Sequence, residues 1–201
     1  MPEFIPDEAL QLEPCDVFLT KGTSFVSGAI RFFTRSLGEK RTEVNHVGII
    51  VTTGSVHSAV AVEALVKVRM HALRRYAGKP ATAVAVFRPT NLTDNEKAAI
   101  VAKAKSYEGR WYGWPKIVTH AMDWCLQGAY VFRRVTHNDN YPICSWLVAH
   151  AFMAAGKDFR VEAGAANPDD IWDFVTKNPD KYLQVRDLTP MPERLSVAVP
   201  V

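Results

Sequence analysis

The chain has 201 residues, of which 48% are hydrophobic and 22% charged, and these values exclude a wholly disordered chain, a collagen-like repeat and a coiled coil. The length suits a single domain, 1–201, with a core over about residues 12–186 and extended, proline-containing arms at both ends. Lys plus Arg number 24 against 21 Asp plus Glu, and so slight an excess does not indicate a nucleic-acid partner.

Predicted strands and helices are interspersed along the chain. Short β-rich runs predict strands over residues 15–19, 46–52, 58–65 and 83–87, and Thr53-Gly54-Ser55 predicts a hairpin between the second and third. Helices are predicted over residues 23–36, 93–109, much of 111–132, 144–155 and 168–176; the second opens on a capping box of Thr93 and Glu96. Antiparallel hairpin strands mixed with helices predict an α+β domain.

The cysteines and the N-terminus bear on the compartment. The three cysteines, Cys15, Cys125 and Cys144, are widely spaced without a C-x-x-C pair, so we expect free thiols. No apolar run reaches the roughly 18 residues of a membrane span, so no integral membrane segment is predicted. The acidic, proline-broken N-terminus is unlike a secretory signal peptide and predicts a cytoplasmic protein. Delivery outside the cell or to a periplasm by a signal-independent route is left open.

Residues 144–156 contain no Asp, Glu, Lys or Arg, so a helix formed by them is expected to be buried on most sides. Cys144 begins this helix, where the positive end of the helix dipole favours a thiolate and hence a nucleophile. It also continues an apolar stripe, so a buried structural cysteine fits the pattern too. Cys15 and Cys125 have no comparable setting and are interpreted as structural.

The predicted hairpin offers a base for such a thiol and a partner for that base. If the turn is centred between Gly54 and Ser55, His46 lies directly across from Glu63, with Cβ atoms about 5 Å apart. The face that they share carries small residues, which would leave room for a helix end. His57 falls on the same face, near the turn. A solvated surface pair of His46 and Glu63 remains an alternative.

A zinc site from His46, His57 and Cys144 is chemically possible, but the chain lacks paired ligand spacing. We therefore predict no metal ion and no organic cofactor. The oligomeric state is not predicted from these features.

Six short segments form an ordered series along the chain: CDVFL at 15–19, NHVGIIV at 45–51, VEA at 62–64, GRWYGW at 109–114, YPICS at 141–145 and PDDI at 168–171. This series resembles the YiiX-like family, circularly permuted relatives of the NlpC-type, papain-like cysteine peptidases and amidases. In that family the His strand precedes the Cys helix, the reverse of the ordinary papain order. The resemblance implies a permuted papain-like fold, in which an antiparallel sheet packs against a buried helix carrying the Cys.

The resemblance implies a catalytic triad of Cys144 as nucleophile, His46 as base and Glu63 as the residue that orients the base. The resemblance also matches Tyr112 to a tyrosine that helps to stabilise the oxyanion in NlpC-type enzymes. The implied activity is that of a thiol hydrolase acting on an amide or peptide bond. Cell-wall peptide, or peptidoglycan, is the leading candidate substrate.

Two further positions are expected at the oxyanion or substrate cleft. The backbone N–H of Cys144 or Ser145, at the helix start, would supply part of the oxyanion hole. Where the family commonly has Glu two residues after the nucleophile, this chain has Trp146, which would change the shape or charge of the cleft.

Two alternatives belong to other functional classes. Acyltransferases or thioesterases of the lecithin:retinol acyltransferase-like type share the His-then-Cys order but use a second His as the third residue, which would favour His57 over Glu63. A binding module on a catalytically degenerate enzyme fold is the other alternative, suggested by Trp146.

Overall fold

The computed structural model describes Asp7 and residues 9–22, 43–111 and 143–193, and the fold is given for these residues. They form eight strands, a 3₁₀ segment and three α-helices, which bears out the α+β prediction. The elements in chain order are β1 (Gln11–Leu12), β2 (Val17–Gly22), β3 (His46–Ile50), β4 (Gly54–Ser55), β5 (Val60–Ala64), β6 (Val68–Ala72), the 3₁₀ segment (Leu73–Tyr76), β7 (Thr82–Pro89), α1 (Asp94–Lys105), α2 (Cys144–Met153), α3 (Pro168–Lys177) and β8 (Tyr182–Pro190).

Six strands pair antiparallel in the order β6-β5-β3-β2-β7-β8, and β1 pairs with β4 in a separate two-stranded ladder. Consecutive residues of the central strands β2 and β3 are buried, 17–20 and 47–50, because both faces of the sheet are covered. One face packs against the helices α1, α2 and α3. The other packs against β1, the 3₁₀ segment and Met191.

The helix predictions agree with the structure where it describes them. Thr93 and Glu96 form the predicted capping box at the start of α1, although this helix ends at Lys105 and continues as turns toward Gly109. Helix α2 begins at Cys144 as predicted, and α3 begins with Pro168 in its first turn. None of the described helices is both long and apolar enough to cross a membrane. The helices predicted over 23–36 and over most of 111–132 lie outside the described residues.

One face of β3 and β5 differs from the expectation that its small residues leave room for a helix end. The ring of Phe18 fills this space, so closely that a Cβ added at Gly48 would lie 2.4 Å from it. Helix α2 instead packs on the opposite, aliphatic face, in one cluster with Val47 and Ile49. The large aromatic ring from the neighbouring strand β2 accounts for the small residues.

Candidate active site

Cys144 lies at the first position of α2 and is 5% exposed. The residue before it, Ile143, is the N-cap and has no side-chain acceptor, so it does not occupy the N–H groups of the first helical turn. The backbone N–H groups of Val47 and Ser145 donate to the Cys144 sulfur. The thiol is therefore held between a helix start and the beginning of strand β3.

His46 is the first residue of β3, and its side chain is 14% exposed. The preceding residue, Asn45, fixes the strand start: its backbone N–H donates to the carbonyl of Thr20 over 2.9 Å, and its side chain accepts from the N–H of Gly22. The Nε2 atom of His46 contacts Oε2 of Glu63. Because that nitrogen is occupied, Nδ1 is the atom left for the hydrogen bond between His46 and Cys144.

Glu63, on β5, is fully buried, with 0% of its surface exposed. Its Oε2 atom contacts Nε2 of His46 and accepts a 2.6 Å hydrogen bond from the hydroxyl of Tyr76. Its Oε1 atom contacts Nε2 of His71, and Nη1 of Arg75 lies 3.7 Å away. This fully buried carboxylate is thus surrounded by donors and positive charge.

The pairing of β3 with β5 corrects the predicted register. Ile49 pairs with Val62 rather than with Val60, a shift of two residues that places Glu63 diagonal to His46 instead of directly across from it. The shift arises because the connection is longer than a tight turn: Gly54 and Ser55 form the short strand β4 and pair with β1. An even shift leaves every side chain on its original face, so Glu63 still reaches His46.

Electrostatics raises the pKa of His46 to about 10. Burial alone would lower this pKa, but attraction to the Cys144 thiolate and the Glu63 carboxylate, with hydrogen bonds to both, outweighs the burial. Burial also opposes ionisation of Cys144, yet the charge of His46 and the N–H donors hold its pKa below the usual range of a thiol. Together these shifts describe a thiolate–imidazolium pair, which titrates as a unit.

The same balance keeps Glu63 ionised. Burial would raise the pKa of this carboxyl, but attraction to His46 and contacts with His46, His71 and Tyr76 hold it well below its usual range. Burial raises the pKa of Tyr76 well above that of an ordinary tyrosine, and the neighbouring Glu63 charge raises it further, so Tyr76 is a neutral donor. A negative Glu63 can therefore orient His46 and stabilise its positive charge.

His71, Arg75 and Tyr76 were not among the residues predicted from the sequence. They belong to β6 and the 3₁₀ segment, neither of which was predicted. The signal available was the alternation of Val68, Met70 and Ala72 with polar residues, which is typical of a strand with one buried face.

The other predicted site residues have different environments. Ser145 is buried, and its hydroxyl donates to the carbonyl of Ala166 over 2.6 Å, so only its backbone N–H is directed at the sulfur. The Trp146 ring is buried between His150 and Tyr107, at centroid distances of 3.9 and 5.1 Å. These are the contacts of a packing residue, and a contact with substrate stays a prediction. Tyr112 lies outside the described residues.

His57 lies apart from the catalytic candidates. It is in the connection between β3 and β5, whereas His46 and Glu63 lie at the opposite, open end of that hairpin. There it lines a surface cavity of about 710 Å³ with Ser55, Ser58 and Arg74.

Comparison with solved structures finds a protein of similar architecture. The crystal structure of the metalloprotein yiiX from Escherichia coli O157:H7, DUF1105, matches with a TM-score of 0.51 and 17% sequence identity, over 90% of this chain and 86% of that chain. The chain has a yiiX-like fold. At this identity the likeness establishes the fold and not the activity. No family model matches the sequence, and no curated protein matches it.

Proposed function

We propose that the protein is a thiol hydrolase of the permuted papain-like, NlpC-type kind, with Cys144 as its nucleophile. The observation that carries this proposal is the placement of the Cys144 thiol at the start of α2 beside His46, whose Nε2 contacts the fully buried Glu63. In this setting the pKa of the thiol is lowered, although burial alone would keep it protonated. A structural cysteine needs neither an imidazole partner nor N–H donors on its sulfur. A nucleophile at neutral pH needs both, because the thiolate is the reactive form.

In the proposed reaction the Cys144 thiolate attacks the carbonyl carbon of an amide or ester. The carbonyl electron pair moves onto oxygen and then returns as the bond to the leaving group breaks. The His46 imidazolium gives its proton to that leaving group, which departs as an amine or alcohol and leaves a thioester on Cys144. Neutral His46 then takes a proton from water, and the resulting hydroxide attacks the thioester and releases the acid and the thiolate.

Two features of the site support the remaining roles. Glu63 contacts Nε2 of His46 and would hold the tautomer and the ring plane, as the acidic member of other triads does. The backbone N–H groups at the start of α2 would stabilise the oxyanion, since Ile143 leaves them without a side-chain acceptor.

The location of His57 favours the hydrolase over the lecithin:retinol acyltransferase-like alternative. That alternative needs a second histidine on His46, and the partner that contacts His46 is Glu63. The lowered pKa of Cys144 likewise favours an enzyme over a degenerate binding module, which would have no use for a thiolate.

The description of yiiX as a metalloprotein raises the possibility of a metal ion at this site. Among the described residues, no group of three His, Cys, Asp or Glu side chains is placed to hold one. Nε2 of His46 is occupied by Glu63, and His57 lies at the other end of the hairpin. The described residues do not fit a metal ion, and no step of the proposed reaction uses one.

The substrate that we propose is a peptide or amide bond, with cell-wall peptide first. Purified peptidoglycan is incubated with the protein and with Cys144→Ala, and the products are compared by mass spectrometry. New soluble fragments that depend on Cys144 support a cell-wall substrate. If acyl esters such as p-nitrophenyl acetate are cleaved and peptidoglycan is not, the substrate assignment is wrong while the thiol chemistry stands.

The compartment of action gives an independent test. If the wall is the substrate, expression in the bacterial cytoplasm is tolerated, because the wall lies outside. Export of the same chain to the periplasm through an added signal causes lysis, and Cys144→Ala abolishes it. Toxicity confined to the cytoplasm would contradict the cell-wall assignment.

A further inference from the structure

A second histidine faces the oxygen of Glu63 that His46 does not use. Strand β5 lies between β3 and β6 in the sheet, so Glu63 has a neighbouring strand on each side. On β6, Arg69 lies directly across from Glu63 and His71 lies across from Ala61, which makes His71 a diagonal neighbour of Glu63. His46 approaches Oε2 from β3, and His71 approaches Oε1 from β6.

The contacts of the two ring nitrogens of His71 define its protonation. Its Nδ1 lies 3.1 Å from the carbonyl oxygen of Ala72, an atom that can only accept, so Nδ1 carries a proton. Its Nε2 is buried in contact with Oε1 of Glu63, and because neither atom has a hydrogen-bond partner within the described part of the chain, this contact decides the protonation of Nε2. Since an ionised carboxylate also only accepts, Nε2 must carry a proton as well. Both nitrogens are then protonated, and the ring is a cation.

We propose that His71, as an imidazolium, is a positioning residue that shares the Glu63 carboxylate with His46 and sets the pH at which Cys144 becomes nucleophilic. This inference rests on the proposed function. The positive charge of the His71 ring, in contact with Oε1, holds the Glu63 carboxylate in place and offsets part of its negative charge. Removing that positive charge makes the thiolate of Cys144 less stable and the imidazolium of His46 more stable. The pH profile of Cys144 reactivity has two limbs: the rise where the thiolate–imidazolium pair forms, and the change at higher pH where His46 loses its proton. Both limbs then move to higher pH.

Other groups around this carboxylate and its partner His46 must be separated from His71 in the test. Arg75 and the neutral donor Tyr76, on the 3₁₀ segment, and His46, on β3, face Glu63, whereas Cys144, on α2, faces His46. Arg69 is the useful control, because it is directly across from Glu63 on the strand of His71 but is exposed to solvent. Solvent screens its charge, whereas the side chain of His71 is only 19% exposed.

The experiment measures the rate of Cys144 alkylation by iodoacetamide across pH, read by peptide mapping, which requires no substrate. His71→Gln keeps a donor toward Oε1 but loses the charge, and we expect both limbs to move up by about half a pH unit to one unit. His71→Lys restores a positive charge and returns the limbs toward those of the unmodified protein. Arg69→Gln leaves the limbs in place.

The outcomes separate this inference from the proposed function. If Cys144 reacts only as an ordinary thiol in the unmodified protein, the proposed function fails. If Cys144 is reactive at neutral pH but His71→Gln and Arg69→Gln give the same profile as the unmodified protein, the role of His71 is wrong and the hydrolase proposal stands. Nitrogen-15 NMR of labelled histidine gives a direct check near neutral pH: an unprotonated ring nitrogen on His71 overturns the inference.

Discussion

Two cysteines are buried in the described part of this molecule, and their surroundings shift the pKa values of their thiols in opposite directions. Cys15, in the turn before β2, is fully buried, and its sulfur lies 3.6 Å from the carbonyl oxygen of Lys97. Burial raises its pKa to about 12; the charge of Lys97 opposes the rise and that of Asp16 adds to it. Cys144 is buried almost as deeply, yet its pKa is lowered.

The difference shows that burial by itself produces an inert thiol. Cys15 faces a carbonyl oxygen, which can only accept a hydrogen bond and so favours the protonated S–H form. Cys144 faces the imidazolium of His46 and two backbone N–H groups, which favour S⁻. What distinguishes a nucleophile from a core cysteine here is whether the groups that face the sulfur are hydrogen-bond donors and positive charges or a hydrogen-bond acceptor.

The largest expected difference between the two thiols is in their rates of alkylation. At about pH 6.5, a thiol with a pKa of about 12 is ionised to less than roughly one part in 10⁵, so iodoacetamide should label Cys144 at least about 10⁴-fold faster than Cys15. Peptide mapping of briefly treated protein measures both, and also reports Cys125. Equal, slow labelling of all three cysteines would remove the basis of the comparison.

Removing the carboxylate charge that stabilises the His46 imidazolium should lower the reactivity of the Cys144 thiol and leave that of Cys15 unchanged. We expect Glu63→Gln to lower kcat on p-nitrophenyl acetate by about a hundredfold to a thousandfold, with KM changed only a few-fold, because the neutral amide no longer stabilises the imidazolium. His57→Gln is the matched control, and its kcat should stay within about threefold. If His57→Gln is the more damaging change, the acyltransferase-like arrangement is the better description.

The pH dependence of the stability contributed by Glu63, beside Cys144, should differ from that contributed by Cys15. Glu63 has a lowered pKa in the folded protein, so its contribution is present above the unfolded value of about 4.3 and is lost as the pH falls below it. The gap in Tm between the unmodified protein and Glu63→Gln should therefore narrow from neutral pH to about pH 3.5, by roughly 2–4 °C per kcal/mol lost.

Cys15→Ala supplies the control for that measurement. The thiol of Cys15 is neutral in both folded and unfolded chains across this range, so its Tm gap should not vary with pH. A Glu63→Gln gap as constant as that of Cys15→Ala would show that Glu63 carries no depressed pKa.

The smallest expected effect concerns the backbone of Cys15. Its φ of 75° lies in the left-handed region that glycine adopts without strain. Cys15→Gly relieves about 1 kcal/mol of strain that Cys15→Ala retains, although both lose the buried sulfur. Thermal unfolding should find the Gly variant as stable as the Ala variant or more so. A Gly variant less stable by more than about 1 kcal/mol would show that this strain is negligible.

The parts of the site that depend on local sequence patterns were predictable from the sequence. The charge-free segment after Ile143 predicted a buried helix beginning at Cys144, and the alternation of β3 and β5 put His46 and Glu63 on one face. The directly opposed pairing was wrong by two residues, because β4 lengthens the connection by pairing with the distant strand β1. The faces nevertheless agreed, because side chains in strands alternate with a period of two.

The sequence by itself determined the elements whose signals are local: the α1 capping box, the start of α2 at Cys144 and the common face of His46 and Glu63. Only the tertiary structure decided which buried thiol meets a cation: the sequence placed Cys144 at a helix start, but the imidazole that faces its sulfur comes from β3. It also brought His71 to Glu63 through the pairing of β6 with β5. The physical reason is that hydrogen bonding along a helix is local in sequence, whereas the charge near a buried atom is set by whichever strands pack beside it.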